Sequence, residues 1–383
     1  MINKKNKLFS TNFLILSILF LSFLLNISKS YYNVSTYEKF QIRQNDGLIE
    51  HSFIKSDIHS IWHSASKLLD DDKNKIDFLK SGREYTRTYL PAVIVYLYFK
   101  FIGQDIKENS KIDDKYVGGI KYNLYNFKFG LLIIQNLFFI CSILYFYKKN
   151  NSLFNSKILL IIIAFLCFEP TISQWHSNFF TESIFISLFI FFITYLMNLK
   201  NSKTSVFFLG FFVGILYLQK NIGFYLIIPI IIIIALLFKK RRKVLIIFTV
   251  IGYLIPVLFI GLHNKLRSDY FYITSKHMKI ATYIYLQHKI IAHQLNINEK
   301  EGIKIKTKLE EEWIEKNNID LSKEIGRRSL YNYQQNAFFK SALKNPIFVS
   351  KIVIWKTLQS GILDPNYSKT FFKIDKTKKN YWK

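Results

Sequence analysis

Between Asp114 and Asp269 the chain carries only two acidic residues, Glu169 and Glu182, and both fall in one polar interruption, "FEPTISQWHSNFFTESIF" at 168–185. Glu182 follows Thr181 at the head of an apolar run. There a carboxylate is favoured by the helix dipole, and the threonine can cap free backbone N–H groups. Glu169 is more expensive. Lys157 marks the start of its run, and at 1.5 Å per helical residue the carboxylate lies deep within a membrane-sized length. A carboxylate there is costly unless it faces a cavity or is protonated. The neighbouring Pro170 frees a backbone carbonyl that also needs a partner. Glu169 and that carbonyl are therefore expected to line a water-filled cavity. His176, in the same interruption, can contact an anion when protonated or a hydroxyl when neutral; an ordinary interfacial histidine beside Trp175 accounts for it equally well.

Two further acidic features precede this region. In "SDIHSIWHSASKLLDDD", Ile58, Ile61, Trp62, Ala65, Leu68 and Leu69 recur at helical spacing, and Ser56 or Asp57 stands where an N-cap belongs. The pattern predicts an amphipathic helix lying on a membrane surface. Asp70, Asp71 and Asp72 point in successive directions at its end, so they read as a solvated turn rather than a metal site. Cys141 and Cys167 both lie in apolar runs and imply packing rather than a disulfide or a metal. No cofactor is indicated, and a divalent metal has no support.

The elements that must position these groups are apolar runs. Half of the 383 residues are hydrophobic, and they gather into stretches near the length that crosses a bilayer as a helix. The runs are Phe9–Ile27, Phe129–Tyr147, Ile158–Ser173, Ser183–Leu199, Ser205–Leu218, Phe224–Phe238 and Val244–Leu262. The expected fold is thus an all-α polytopic membrane protein of about seven spans. Basic clusters at Lys4, Lys5 and Lys7, at Lys148 and Lys149, at Lys200 and Lys203, and at "KKRRK" 239–243 mark every second connection. By the positive-inside rule these are cytoplasmic. Residues 28–128, 174–182, 219–223 and 263 onward then face the other side. A cleaved signal peptide over residues 1–30 is the alternative to a retained first anchor.

The loop 28–128 is too long for a plain connector. Besides the helix after Asp57 it holds "YLPAVIVYLYFKFIG", short and interrupted by Lys100, which reads as a second interfacial helix. Two regions follow: a membrane core over 1–262 that includes this loop, and a helical outer segment over 263–383. Within the latter, "PIFVSKIVIWKTLQSGIL" carries Lys351 and Lys356 and reads as interfacial rather than as an eighth span. The net charge of +27 would suit nucleic acid, but no basic soluble module with base-reading residues is present. The abundance of Lys, Ile, Asn and Phe reads as codon bias of an AT-rich, bacterial genome.

Several segments, in order, resemble the C-class membrane glycosyltransferases, the group of protein O-mannosyltransferases and lipid A aminoarabinose transferases, which use polyprenyl-phosphate sugars. "SDIHSIWHSASKLL" resembles the family's Asp before an amphipathic helix, and "RTYLPAVIVYLYFKFIG" its Arg, Pro and apolar helix. "FEPTISQWHSNFFTESIFISLFIFF" is similar to the segment that ends in a Thr-Glu pair. "FFLGFFVGILYLQKNIGFYLIIP" resembles the glycine-spaced span and the turn with a basic residue, and "HNKLRSDYFYITS" an Asn-containing segment.

The resemblance implies Asp57 as catalytic base and an inverting displacement on the outer face of the plasma membrane. It also implies Lys220 and Arg87 as phosphate partners, with Glu182, Glu169 and His176 in the cavity wall. The partners would be a polyprenyl-phosphate-linked donor, an envelope glycan, lipid or protein acceptor, and the bilayer. The second loop Asp of the family is missing here. A transporter or flippase for a lipid-linked glycan, or a non-catalytic envelope-assembly protein, is the alternative.

Overall fold

The computed structural model describes residues 12–31, 57–82, 84, 88–102, 108–109, 121–122, 125–177 and 181–362, and these are almost entirely helical. Two compact units divide the chain at 278/279.

In the first unit the helices are α1 (Asn12–Tyr31), α2 (Asp57–Lys73), α3 (Tyr89–Phe101), α4 (Tyr125–Asn150), α5 (Ser156–Phe168), α6 (Pro170–Ser177), α7 (Thr181–Met197), α8 (Lys203–Gln219), α9 (Ile227–Leu237) and α10 (Arg242–Ser268). A 3-10 turn, Asn221–Leu226, leads into α9, and a two-residue antiparallel pair joins Glu108–Asn109 to Lys121–Tyr122.

Among the described residues, α1, the stretch Gly130–Asn150 of α4, and α10 are long and apolar enough to cross a membrane. The pair α5 and α6, bent by 50°, makes a fourth if it counts as one span. Helices α7 and α8 are apolar but have 17 residues each, about 25 Å at 1.5 Å per residue against a hydrocarbon core of about 30 Å. The outward faces of α1, α5, α9 and α10 are apolar. Phe13, Phe20, Ile161, Phe165, Ile232, Leu236, Ile247 and Leu258 are exposed, as a lipid-facing surface requires.

Three cores meet at α7. Its Phe192 joins Val206, Leu209, Val213, Ile230, Ile234 and Val257 of α8, α9 and α10. Ile184 joins the core of α2 and α3, and Ile190 that of α1, α4 and α5. Among the described elements, the contact of α8 with α10 is the most extensive. It is made without side chains at its closest points: a Cβ on Gly210 would fall within 3.0 Å of the Thr249 carbonyl oxygen, and one on Gly252 equally close to that of Phe207. Small residues let two apolar helices approach backbone to backbone, where dispersion contacts are densest.

Two differences from the sequence reading have clear causes. The apolar stripe of α2 (Ile61, Ala65, Leu68) is covered by Val95 and Phe99 of α3 and by Leu131 and Leu132 of α4, so it faces protein instead of lipid. The aspartate triplet is not uniformly solvated: Asp71 is buried, 2.7 Å from Lys67 Nζ, and accepts a 2.6 Å hydrogen bond from Gly82 N. Gly82 has φ 87°, a conformation that glycine adopts without strain, so Asp71 ties a turn that only glycine makes cheaply. The first unit runs past α10 to Met278, and over this stretch the chain folds back: Asn264 Nδ2 donates to Tyr272 O at 2.8 Å, and Ser275 Oγ donates to Asn221 Oδ1 at 3.1 Å.

The second unit holds the remainder of α11 (Lys276–Thr282), a π turn (Tyr283–Gln287), α12 (His288–Leu295), α13 (Glu299–Lys316), α14 (Glu324–Lys344) and α15 (Pro346–Ile362). Tyr283, Ile290 and Phe338 form its core, with Phe348 and Val349 packed on it.

Candidate functional site

Glu182 and Lys220, 38 residues apart in sequence, meet at 2.9 Å. Helix α7 begins at Thr181 and α8 ends at Gln219, so packing α7 against α8 brings the first carboxylate of one beside the first residue after the other. Thr181 Oγ1 donates to Glu182 Oε2 at 2.9 Å, and Gln219 Nε2 donates to the Thr181 carbonyl at 3.0 Å. Both side chains of the pair are part-exposed, Lys220 at 37% and Glu182 at 23%. The ammonium also lies 5.8 Å from the centre of the Phe185 ring, a weak cation–π contact. The carboxylate, engaged by a hydroxyl and an ammonium at the start of α7, belongs to a charged pair that stays part-exposed.

The same junction reaches α3. Thr88 Oγ1 donates to the Gln219 carbonyl at 2.6 Å. Thr88 is next in sequence to Arg87, and Gln219 is next to Lys220. Beside this contact a cleft is lined by Thr88, Tyr89, Tyr217, Asn221, Asn264, Tyr272 and Ser275 among others, and it encloses about 20 Å³. That is room for about one water molecule. The wall is held by Tyr217 OH on the Ile273 carbonyl and by the Asn264 and Ser275 bonds described above.

A second polar cluster lies where α1, α4, α6 and α7 meet. His176 is fully buried, its ring 3.9 Å from that of Phe139, with Ser183 Oγ 2.6 Å from Nδ1. Its carbonyl accepts from Asn136 Nδ2 at 2.8 Å and Gln135 Nε2 at 3.1 Å. Ser173 Oγ donates to Asn26 Oδ1 at 2.7 Å and accepts from Lys29 Nζ at 2.8 Å. The amide nitrogens and hydroxyls named here find partners, since an unpaired one would cost more than the pair contributes, whereas Asn136 Oδ1 and His176 Nε2 are buried with no hydrogen-bond partner among the described residues.

The expected site residues separate accordingly. Glu182 and Lys220 are brought together. His176 has no exposed surface, and Phe139 and Ser183 close around its ring. Glu169 sits at the break between α5 and α6, where its Oε2 accepts from Ile172 N at 2.7 Å. It caps the second helix, and Pro170 is that helix's first residue, the position proline favours. The carboxylate thus has a local duty at the bend, while remaining part-exposed. Asp57 is the first residue of α2, and its side chain lies outside what the structure describes. Arg87 lies outside the described residues.

Among those residues no group of three or more His, Cys, Asp or Glu could hold a metal ion. Sequence reasoning missed Thr88, Gln219, Asn221 and Ser275; the signal for Gln219 and Asn221 was polar residues flanking Lys220 at the end of an apolar run. Gln135 and Asn136, adjacent amides inside another apolar run, carried a similar signal.

No family model, curated protein or solved structure matches the chain.

Proposed function

We propose that this protein is a multi-pass membrane glycosyltransferase that moves a sugar from a polyprenyl-phosphate donor to an envelope acceptor by one inverting displacement on the extracytoplasmic side. The observation that carries the reading is the Glu182–Lys220 pair beside the cleft: two residues that the resemblance placed in one site meet at 2.9 Å. In this reading about seven helices cross the bilayer. The shorter ones, α7, α8 and Asn221–Leu237, are accommodated by local thinning and by polar ends.

The donor's phosphate takes the place of the Glu182 carboxylate on Lys220, with Arg87 as a second, bidentate partner. The cleft encloses about 20 Å³, so its walls part to admit a sugar. Asp57 accepts the proton of the acceptor hydroxyl. The acceptor oxygen forms the bond to the anomeric carbon while the bond from that carbon to the phosphate oxygen breaks, and the phosphate leaves with the electron pair. No strong acid is needed, because the leaving group is already a stable anion that Lys220 and Arg87 stabilise as charge develops.

The test is transfer by the purified chain from polyprenyl-phosphate sugars to membrane acceptors, with Asp57→Asn and Lys220→Met beside it. The expected result is transfer by the native chain, loss of turnover in the first variant and weakened donor binding in the second. Transfer that survives Asp57→Asn removes that residue's role. No transfer from any donor sinks the whole reading and favours transport of a lipid-linked glycan.

A further inference from the structure

From 325 to 362 the chain holds no Asp or Glu, while it holds Arg327, Arg328, Lys340, Lys344, Lys351 and Lys356. This one-sided charge falls on helices whose outward faces are also apolar. On α14, Asn336, Phe339, Lys340 and Leu343 share one face at i, i+3, i+4 and i+7, and all are exposed. Phe339 is 54% exposed and Leu343 80%. On α15, Ile347, Lys351 and Ile354 repeat the pattern at i, i+4 and i+7. Ile347 is 73% exposed and Ile354 60%, while Phe348 and Val349 turn inward onto the unit's core.

Neither helix needs these apolar side chains for its own packing, since the inward stripe already supplies the core. Lys340, Lys344 and Lys351 make no ion pair with any described residue. Helix α13 of the same unit has the opposite character, with Glu310, Glu311, Glu312 and Glu315 interleaved among lysines and paired to them at Lys306–Glu310 and Lys308–Glu312.

We infer that the α14–α15 face is a membrane-docking surface, and that its occupant is an anionic bilayer. Large apolar side chains between lysines, with no carboxylate from 325 through 362, are what the interface of a charged bilayer recognises. The apolar groups enter the acyl boundary while the lysines reach back to the phosphates. A protein partner of ordinary composition would present both signs of charge and would leave these three exposed lysines without complement. The bilayer is also within reach by covalent connection, because the chain that carries this face carries helices long and apolar enough to cross a membrane. The inference stands apart from the glycosyltransferase reading and holds whether or not that reading does.

The test uses the full chain, with Cys141 and Cys167 replaced by Ser, in nanodiscs of zwitterionic lipid and of lipid containing phosphatidylglycerol. Spin labels are placed singly at Leu343→Cys, Ile347→Cys and, as control, Glu311→Cys on α13. Collision with dissolved oxygen is compared with collision with a water-soluble nickel chelate. The expected result in the anionic discs is oxygen access exceeding nickel access at 343 and 347, and the reverse at 311. Combined Lys340→Glu, Lys344→Glu and Lys351→Glu substitution is expected to bring the first two labels back to the control value, with helix content by circular dichroism unchanged. Aqueous behaviour of the 343 and 347 labels in the anionic discs overturns the inference. So does protection from both reagents with spin–spin broadening, which would mean that a second copy covers the face.

Discussion

Replacing Glu182 by Gln and Lys220 by Met, singly and together, measures what their contact is worth. At 2.9 Å, two unit charges interact by about 6 kcal/mol at an effective dielectric of about 20. Most of that is returned to solvent: the side chains keep 37% and 23% of their exposure, and water competes for both. Fully exposed pairs yield about 0.2–1 kcal/mol, while breaking a fully buried pair costs about 3–5 kcal/mol. This pair stands between them, so the coupling energy from the double-mutant cycle is expected at about 1–2 kcal/mol. Lys220→Met is the costlier single change, because it leaves a carboxylate supported by the Thr181 hydroxyl alone among the side chains described. Glu182→Gln keeps an acceptor for that hydroxyl. The assay is reversible unfolding in mixed micelles followed by helix content. A coupling below about 0.3 kcal/mol, within the additivity error of distant sites, would refute the argument that packing of α7 on α8 builds a charged site there.

Other outcomes follow from single contacts. Gly210→Ala and Gly252→Ala each force a Cβ within 3.0 Å of a carbonyl oxygen on the facing helix; instead of the gain of about 0.5–1 kcal/mol usual for Gly→Ala in a helix, each is expected to lose about 1–3 kcal/mol or more to overpacking. A melting temperature that rises in either variant would contradict the close approach of α8 and α10. Ser183→Ala removes the hydroxyl 2.6 Å from buried His176 Nδ1 and is expected to cost about 1–3 kcal/mol; thermal unfolding that matches the native chain would show the bond to be idle. Asp320 accepts from Ser322 Oγ and N and faces Lys323, and these contacts, the Ser322 hydroxyl foremost, hold its carboxyl below its ordinary value of 3.8. A depressed pKa contributes stability that is full above the ordinary value and is lost as pH falls through the lowered one. Amide exchange at Ser322 should therefore lose protection only in strong acid, and Asp320→Asn should remove that step; protection that falls away near neutrality would count against it.

The helices were largely legible in the sequence. Runs read as Phe129–Tyr147, Ser183–Leu199, Ser205–Leu218 and Val244–Leu262 became helices Tyr125–Asn150, Thr181–Met197, Lys203–Gln219 and Arg242–Ser268, because apolar length, Thr181 at a helix start and lysines at helix ends act locally on the backbone. The stripe Ile61, Ala65 and Leu68 was legible as an amphipathic face for the same reason. What it would face was not: α3 and α4 cover it, and an apolar stripe looks alike whether lipid or protein meets it. Glu169 was recognised as costly, yet its remedy, the Ile172 N–H at 2.7 Å, required the bend that turns one run into two helices.

The sequence by itself determined that the chain is built of apolar helices with basic clusters at alternate connections, since hydropathy and charge are sums over neighbouring residues. Tertiary structure alone decided which polar groups meet. Glu182 finds Lys220 38 residues on, and Gly82 returns 11 residues to Asp71. The ring of His176 closes against Phe139 and Ser183 from two other helices. Those partners are chosen by how helices cross, and a crossing is set by the backbone approach that residues such as Gly210 and Gly252 permit, which no local window of sequence contains.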